Sequence, residues 1–351
     1  MRVASPVRAA RPVAGAGLAA TNALRLFGWL LAVAGLLLVC LVSLAIGAKD
    51  MSLVAVWDAL FAAADGESGI IVREMRLPRT VLGLVVGIAL GVAGALIQAM
   101  TRNPLADPGI LGVNAGAAFF VAIAVGLLGV TAIHDYVWFA FLGAAVATVA
   151  VYALGSLGRA GATPIRLTLS GVAIGAVLSG FTTGLILLDP RAFDQLRSWN
   201  AGALTGRGLE VSATVLPFVV AGVLLAIAIA RPLNAVALGD DLAQALGARV
   251  RRTRAIGVVA VTLLCGAATA AAGPIAFVGL MVPHIARWLV GPDQRWILAY
   301  TVVGAPMLLL VSDVLGRVVI RPGELQVGVV TAFVGAPVLI LLVRRRKASG
   351  L

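Results

Sequence analysis

Lysine, histidine, cysteine and acidic residues are all scarce in this 351-residue chain. The only lysines are Lys49 and Lys347, so no G-x-x-x-x-G-K-[ST] phosphate loop can be written anywhere, which excludes a P-loop ATPase. Cys40 and Cys265 both lie inside apolar runs, which argues against a disulfide framework or a thiolate cluster. His134 and His284 are far apart, so no local histidine set for a metal exists. No serine- or proline-rich linker marks off a soluble domain. Charged residues make up 12% of the chain, where a soluble domain carries roughly 25%.

What is present is apolar: 61% of residues, with a mean hydropathy of +1.06. This is the composition of a polytopic membrane protein. The net charge of +12 could suggest nucleic acid. Its arginines, however, fall between apolar runs and at the chain ends instead of forming a stripe on a folded domain, and no nucleic-acid partner is expected.

Taken in order, residues 1–25 form a basic tail with Arg2, Arg8, Arg11 and Arg25. Residues 26–48 are an uncharged run, longer than a signal-peptide core and without a convincing cleavage site, and so a retained first span. Residues 49–79 mix acids and bases and could hold a short surface helix. Further apolar runs cover about 80–101, 110–133, 137–158, 167–188 and 211–230. Residues 255–286 carry no charge and are too long for one crossing of a core roughly 30 Å thick, so they must fold back, with Gly273-Pro274 the obvious break. The last spans cover about 297–314 and 325–343.

The result is an all-α fold of ten transmembrane helices in a single domain, 26–343, followed by a basic tail at 344–351. With ten spans, 18 of the 27 arginines and lysines lie inside, and both termini are cytoplasmic. A nine-span count would put Arg344, Arg345, Arg346 and Lys347 outside. A glycine- and alanine-rich span leading into a proline-containing stretch occurs at 83–112 and again at 257–292, which hints at an inverted repeat.

Several stretches carry more information than a connector needs. Arg231 to Arg254 is the longest polar interruption in the later part of the chain. Gly239-Asp240-Asp241 places acids at the start of a short helix over Asp240 to Leu246, where they would satisfy free N–H groups and complement the dipole; Gly247 stops it, and Leu242, Ala243, Ala245 and Leu246 give it an apolar side too small for a core. It reads either as a docking surface or as a charged loop that sets orientation. Arg76 and Arg79 stand one turn apart before the second span and could pair with carboxylates of a partner or simply snorkel. Arg102 to Gly112, RNPLADPGILG, is dense in turn formers and implies a specified loop shape. Gly171, Gly175, Ser179 and Thr183 share one face of the fifth span, suited to close helix approach or to lining a pathway. His284 is expected to be satisfied structure. Asp313 is the one acid placed within a span and should pair with Arg317 at i+4.

In sequence order, RLPR, Gln98 with RNPLADPGILG, WNAGAL, ALGDDLAQALG and GPIAFVGLMVPHIAR resemble the permease subunits of ABC importers for iron-siderophores, haem and cobalamin. The resemblance extends over nearly the whole chain from about residue 25. It departs at Glu324-Leu325-Gln326-Val327-Gly328, where most of the family has a proline after the leucine.

The resemblance implies a type II importer fold in the bacterial cytoplasmic membrane. The chain itself would be no enzyme and hold no cofactor, since ATP and magnesium would belong to a dimer of ATPase subunits. A periplasmic or lipoprotein substrate-binding protein and a second, paralogous permease complete the implied set of partners. Leu238, Gly239, Asp240, Asp241, Leu242, Ala245, Leu246 and Gly247 would couple to the ATPase. Arg76, Arg79, Arg317 and Arg321 would dock the binding protein, and spans five and ten would line the pathway. The implied cargo is a ferric siderophore of the catecholate, enterobactin-like class, with haem or cobalamin as alternatives. A secondary transporter is the other class, but driving ions call for intramembrane carboxylates that this chain almost lacks.

Overall fold

A computed structural model describes residues 17–19, 21–47, 49–62, 66–130, 132–157, 163–188 and 190–346. Among the described residues there is no strand. The helices are α1 (Asn22–Ala45), α2 (Leu53–Phe61) and α3 (Glu67–Ile70), the last continuing through a π turn, Ile71–Arg76, into α4 (Leu77–Thr101). A 3-10 turn, Pro108–Leu111, precedes α5 (Val113–Gly126), α6 (Ile133–Ser156), α7 (Pro164–Leu188), α8 (Pro190–Asn200) and α9 (Leu209–Ala237). Then come α10 (Asp240–Ala245), α11 (Val250–Ala272), α12 (Val278–Val290), α13 (Gln294–Val319) and α14 (Val327–Arg346).

Seven of these helices are long and apolar enough to cross a bilayer: α1, α4, α6, α7, α9, α11 and α13. Three more, α5, α12 and Val327–Leu341 of α14, are apolar but shorter. The break expected at Gly273-Pro274 is there. Gly273 takes φ +76, and helix resumes only at Val278.

The central helix is α4, almost wholly buried. Its glycines let neighbouring backbones touch it: a Cβ on Gly87 would strike Pro306 of α13, one on Gly91 would strike Ala305 and Thr301, and one on Gly94 would strike the Gly279 carbonyl of α12. Gln98 adds a polar tie, its Nε2 donating to Leu280 O at 3.0 Å. The segment after α8 laps over the α11–α12 break, with Ala203 N donating to Ala272 O at 2.8 Å and Gly328 N to Gly202 O at 3.0 Å.

Two of the apolar runs differ most from the helices they form. The run at 110–133 yields only the 14-residue α5: turns take up the stretch before it, and after Gly126 the chain turns back, with Leu128 N donating to Ile123 O and Val130 N to Ala124 O. Asn103 Oδ1 accepts from Leu105 N at 3.0 Å and Asp107 Oδ1 from Gly109 N at 2.7 Å. This loop folds back along α4: Asp107, Pro108 and Gly109 share a small cavity with Leu90, Asn114, Cys265 and Gly279. Irregular backbone at that depth is tolerable because protein surrounds it. Asp107 is thus a second carboxylate packed among helices, in a loop between spans, where Asp313 lies within one.

The second difference is α9, which continues through Pro232 to Ala237 instead of ending before it. Proline removes one helix hydrogen bond, but Leu233 and Val236 are buried beyond it, and Val236 packs with Ala243 and Val250. Burial outweighs the missing bond. Likewise α14 begins at Val327 without the proline, and Gln326 O accepts from Val329 N at 3.0 Å.

Candidate functional site

At one end of the molecule α4 and α13 meet in a knot of charge. Arg79 donates Nε and Nη2 to Asp313, at 2.8 to 3.0 Å, and Nη1 to Glu324 Oε2 at 2.7 Å. Arg317, one turn beyond Asp313, donates to the same carboxylate through Nε at 3.0 Å and again through Nη2. Its Nη1 reaches the carbonyls of Ser43 and Ile46 at the end of α1, and its Nη2 the Ser43 hydroxyl, which also bonds Thr80. Asp313 is 0% exposed and Arg317 2%, so this carboxylate is shared by two guanidinium groups away from solvent. The pair expected between Asp313 and Arg317 is present, and Arg79 is its unforeseen third member.

Arg76 is also buried, but its partners are carbonyls: Leu44 at 2.8 Å, Ala45 at 2.7 Å and Lys49. Of the four arginines expected at a docking surface, the structure thus turns Arg76, Arg79 and Arg317 inward. Arg321 stays on the surface, where it forms a two-point pair with Asp50, Nη2 to Oδ1 at 2.8 Å and Nη1 to Oδ2 at 3.1 Å. The bond from Arg321 holds the Asp50 carboxyl below its usual range.

Beside the knot lies a pocket of about 320 Å³ bordered by Lys49, Arg76, Arg79, Arg207 and Arg317, with Glu74 and Glu324 as its acids. Arg207 is the residue that sequence reasoning passed over. It is 9% exposed, donates Nη1 to the Tyr136 hydroxyl at 3.1 Å, and keeps Nε unpartnered. Among the described residues it pairs with no acid. Its turn, Thr205-Gly206-Arg207-Gly208, holds a positive-φ glycine at Gly206 that lets the chain bring the guanidinium under the pocket.

The other end of the molecule carries α10. Gly239, at φ +111, turns the chain out of α9, and Gly247, at φ +82, turns it back. Asp240 does not cap the helix. Its Oδ1 accepts from Arg254 at 2.9 Å and lies 3.6 Å from Arg102, so the carboxylate ties α10 to α11 and to the end of α4. Only Ala243 faces inward; Leu238, Leu242 and Leu246 are exposed, at 61, 50 and 63%. Of the expected apolar side, Leu242, Ala245 and Leu246 are displayed, with Asp241 also at the surface, while Ala243 is buried against α9 and α11 through Val236 and Val250. At the same end Asn234 of α9 accepts from Gln294 N at 2.8 Å and donates to Asp293, the cap of α13. Burial would raise Asp293, but bonds from Arg295 and Asn234 outweigh it and hold the carboxyl low. His284 is buried with its ring edge-on to Trp288 at 5.2 Å.

The small-residue face of α7 divides in two. Gly171 is buried against the Ile110 carbonyl, where a Cβ would not fit, and Gly175 touches Ala115. Ser179 and Thr183 are exposed, Thr183 Oγ1 donating back to Ser179 O at 2.9 Å. Gly180 and Gly184, on the neighbouring face, meet nothing within 4 Å. The first half of the stripe packs; the second half is open.

The FecCD transport family model matches residues 24–345. The ferric enterobactin transport system permease protein FepD of Escherichia coli is 51% identical over 325 residues, 91% of this chain and 97% of that protein. The Fe(3+)-citrate import system permease protein YfmD of Bacillus subtilis is 41% identical, covering 86% and 90%, and the hemin transport system permease protein HmuU of Yersinia pestis 35%, covering 89% and 95%. A metal-chelate type ABC transporter solved in an inward-facing conformation superposes with a TM-score of 0.79 at 24% identity, over 91% of this chain and 98% of that one, which shows a shared fold. With a match spanning the helical domain and the apolar helices of a multi-pass membrane protein, the chain belongs to the FecCD transport family.

Proposed function

We propose that this chain is the permease subunit of an ATP-driven importer that carries a ferric siderophore of the catecholate class across the bacterial cytoplasmic membrane. The observation that carries the reading is the 51% identity to a ferric enterobactin permease along nearly its full length. The hemin permease is more distant, at 35%. The deciding experiment is iron-limited growth of a deletion strain on individual purified siderophores, with haem and cobalamin as comparisons. Loss of growth on the catecholate complex is expected; loss on haem alone would overturn the cargo.

In this reading residues 26–343 form one domain of ten crossings, with α5, α12 and α14 as the short ones and both termini cytoplasmic. The excess of arginine at the α10 end supports that orientation. Labelling of a cysteine placed at position 205 from outside intact cells, with none at 350, is the expected result.

The displayed leucines of α10 seat in a groove of an ATPase dimer that binds ATP and magnesium, with Leu238, Gly239, Asp240, Asp241, Leu242, Ala245, Leu246 and Gly247 forming the coupling element. A small interface depends on a few apolar anchors, and Leu242 and Leu246 are the exposed ones. At the opposite end an acidic binding protein docks. Arg321 meets it at the surface, and Arg207 offers a cation for one of its carboxylates in a pocket whose positive field Arg76 and Arg79 strengthen. Arg317 supports that pocket from behind. The open half of α7, Ser179 and Thr183 onward, faces the pathway together with α14, while Gly171 and Gly175 let α7 pack tightly. A second, paralogous permease supplies the other wall.

A further inference from the structure

A second cationic site lies at the α10 end, on the flank formed by α9 and α11. There a groove of about 640 Å³ is bordered by Arg231, Arg249 and Arg252 and by no acid. All three side chains are exposed, and among the described residues none has an acidic partner. Arg254, the next basic residue, differs in being tied to Asp240. Apart from Thr253, the rest of the groove is apolar, with Ala228, Ile229 and Ala235 on α9, Ile256 on α11, and Leu246 after α10.

The apolar wall does not end at the groove. One turn further into α9 come Ile227 and Leu224, each 60% exposed, and on α11 Val259, 52% exposed. These lie in helices long and apolar enough to span, so they face acyl chains. The groove is thus the polar end of a lipid-facing furrow, with three free guanidinium groups where the hydrocarbon stops. A phosphate fits that place, because guanidinium binds it in a fork, and basic pockets between helices at this boundary are suited to anionic headgroups. Ala228 and Ile256 lie on the side of the arginines toward the middle of α9 and α11, which suits an acyl chain better than a soluble partner.

We infer that this groove holds an anionic phospholipid of the leaflet next to α10, its phosphate on Arg231, Arg249 and Arg252 and an acyl chain along α9 and α11. The leaflet assignment rests on the orientation proposed above; the occupancy does not. The purified importer complex is reconstituted in nanodiscs of equal phosphatidylglycerol and phosphatidylcholine and released for native mass spectrometry. Retained phosphatidylglycerol should exceed phosphatidylcholine, and R231Q/R252Q should lower that preference by about fivefold for each arginine removed. R231K/R252K should keep most of it, since the charge remains. Equal retention in the parent and the glutamine variant would overturn the site. So would full displacement by soluble glycerol phosphate, which would show a headgroup pocket without a lipid furrow. Release of the ATPase subunits with lipid retention unchanged would assign the arginines to protein docking instead. A reversed topology found by cysteine labelling would change the leaflet and leave the mass measurement standing.

Discussion

The two ends of the molecule treat charge in opposite ways. At the Asp313 end three guanidinium groups are drawn inside, two onto one buried carboxylate and a third onto main-chain carbonyls. At the α10 end Arg231, Arg249 and Arg252 stand free, and leucines that would ordinarily be buried are on view. The first arrangement is satisfied within the chain. The second finds no partner among the described residues. A residue's type is thus a poor guide to its role here; whether its partner is in the same chain decides.

The strongest way to break the comparison is at Asp313. Asp313→Asn leaves Arg79 and Arg317 facing each other without their shared anion, a loss of about 3–5 kcal/mol. Thermal unfolding of the detergent-solubilised protein should show a large drop in melting temperature and poor yield. A variant that melts like the parent would mean the knot is dispensable.

At the other end, Leu242→Asp with Leu246→Asp should leave melting unchanged, because both side chains are exposed, and abolish substrate-stimulated ATP hydrolysis in the assembled complex. Intact stimulation would reduce α10 to a tether. Between these two lies Arg207→Gln. It removes a buried cation from the pocket while keeping a donor for Tyr136, and it should weaken the binding protein by at least about tenfold, with the salt dependence of binding reduced. Unchanged affinity would show that the pocket plays no part in docking.

The smallest effect belongs to the surface pair. The Asp50 carboxyl is depressed in the folded chain by Arg321, so what it adds is present above the ordinary value of 3.8 and is lost as pH falls from there through the folded value. Asp50→Asn should shift melting barely at neutral pH and not at all in acid. A shift that grows in acid would assign the effect to another group.

Much of this was legible in the residues, and the exceptions share a cause. Gly273-Pro274 announced its break through local backbone chemistry, and Gly239-Asp240-Asp241 with Gly247 announced a short helix. The i+4 spacing of Asp313 and Arg317 announced their pair. What stayed hidden depended on distant residues. Arg79 finds Asp313 234 positions away, and Arg207 finds Tyr136 71 away. The surroundings of Asp107 follow from how its loop packs on α4 and α11, which no local pattern encodes. Even the role of Asp240 differs from the local reading, since Arg102 just after α4 and Arg254 of α11 claim its carboxylate instead of the helix end.

The long reach of α4 also sets a schedule for making the protein. Gln98 waits for a carbonyl 182 residues downstream, and Arg79 for a carboxylate 234 residues downstream. At ribosomal speeds of about 5–20 residues per second, that interval is on the order of 10–50 s. During it the glycine face of α4 meets lipid or an insertion factor instead of α12 and α13. Its composition suits the delay: an apolar stretch is content in hydrocarbon, and an arginine at the helix end can keep its charge among headgroups until α13 is synthesised. The helix at the centre of the finished permease is therefore one that must first survive at its edge.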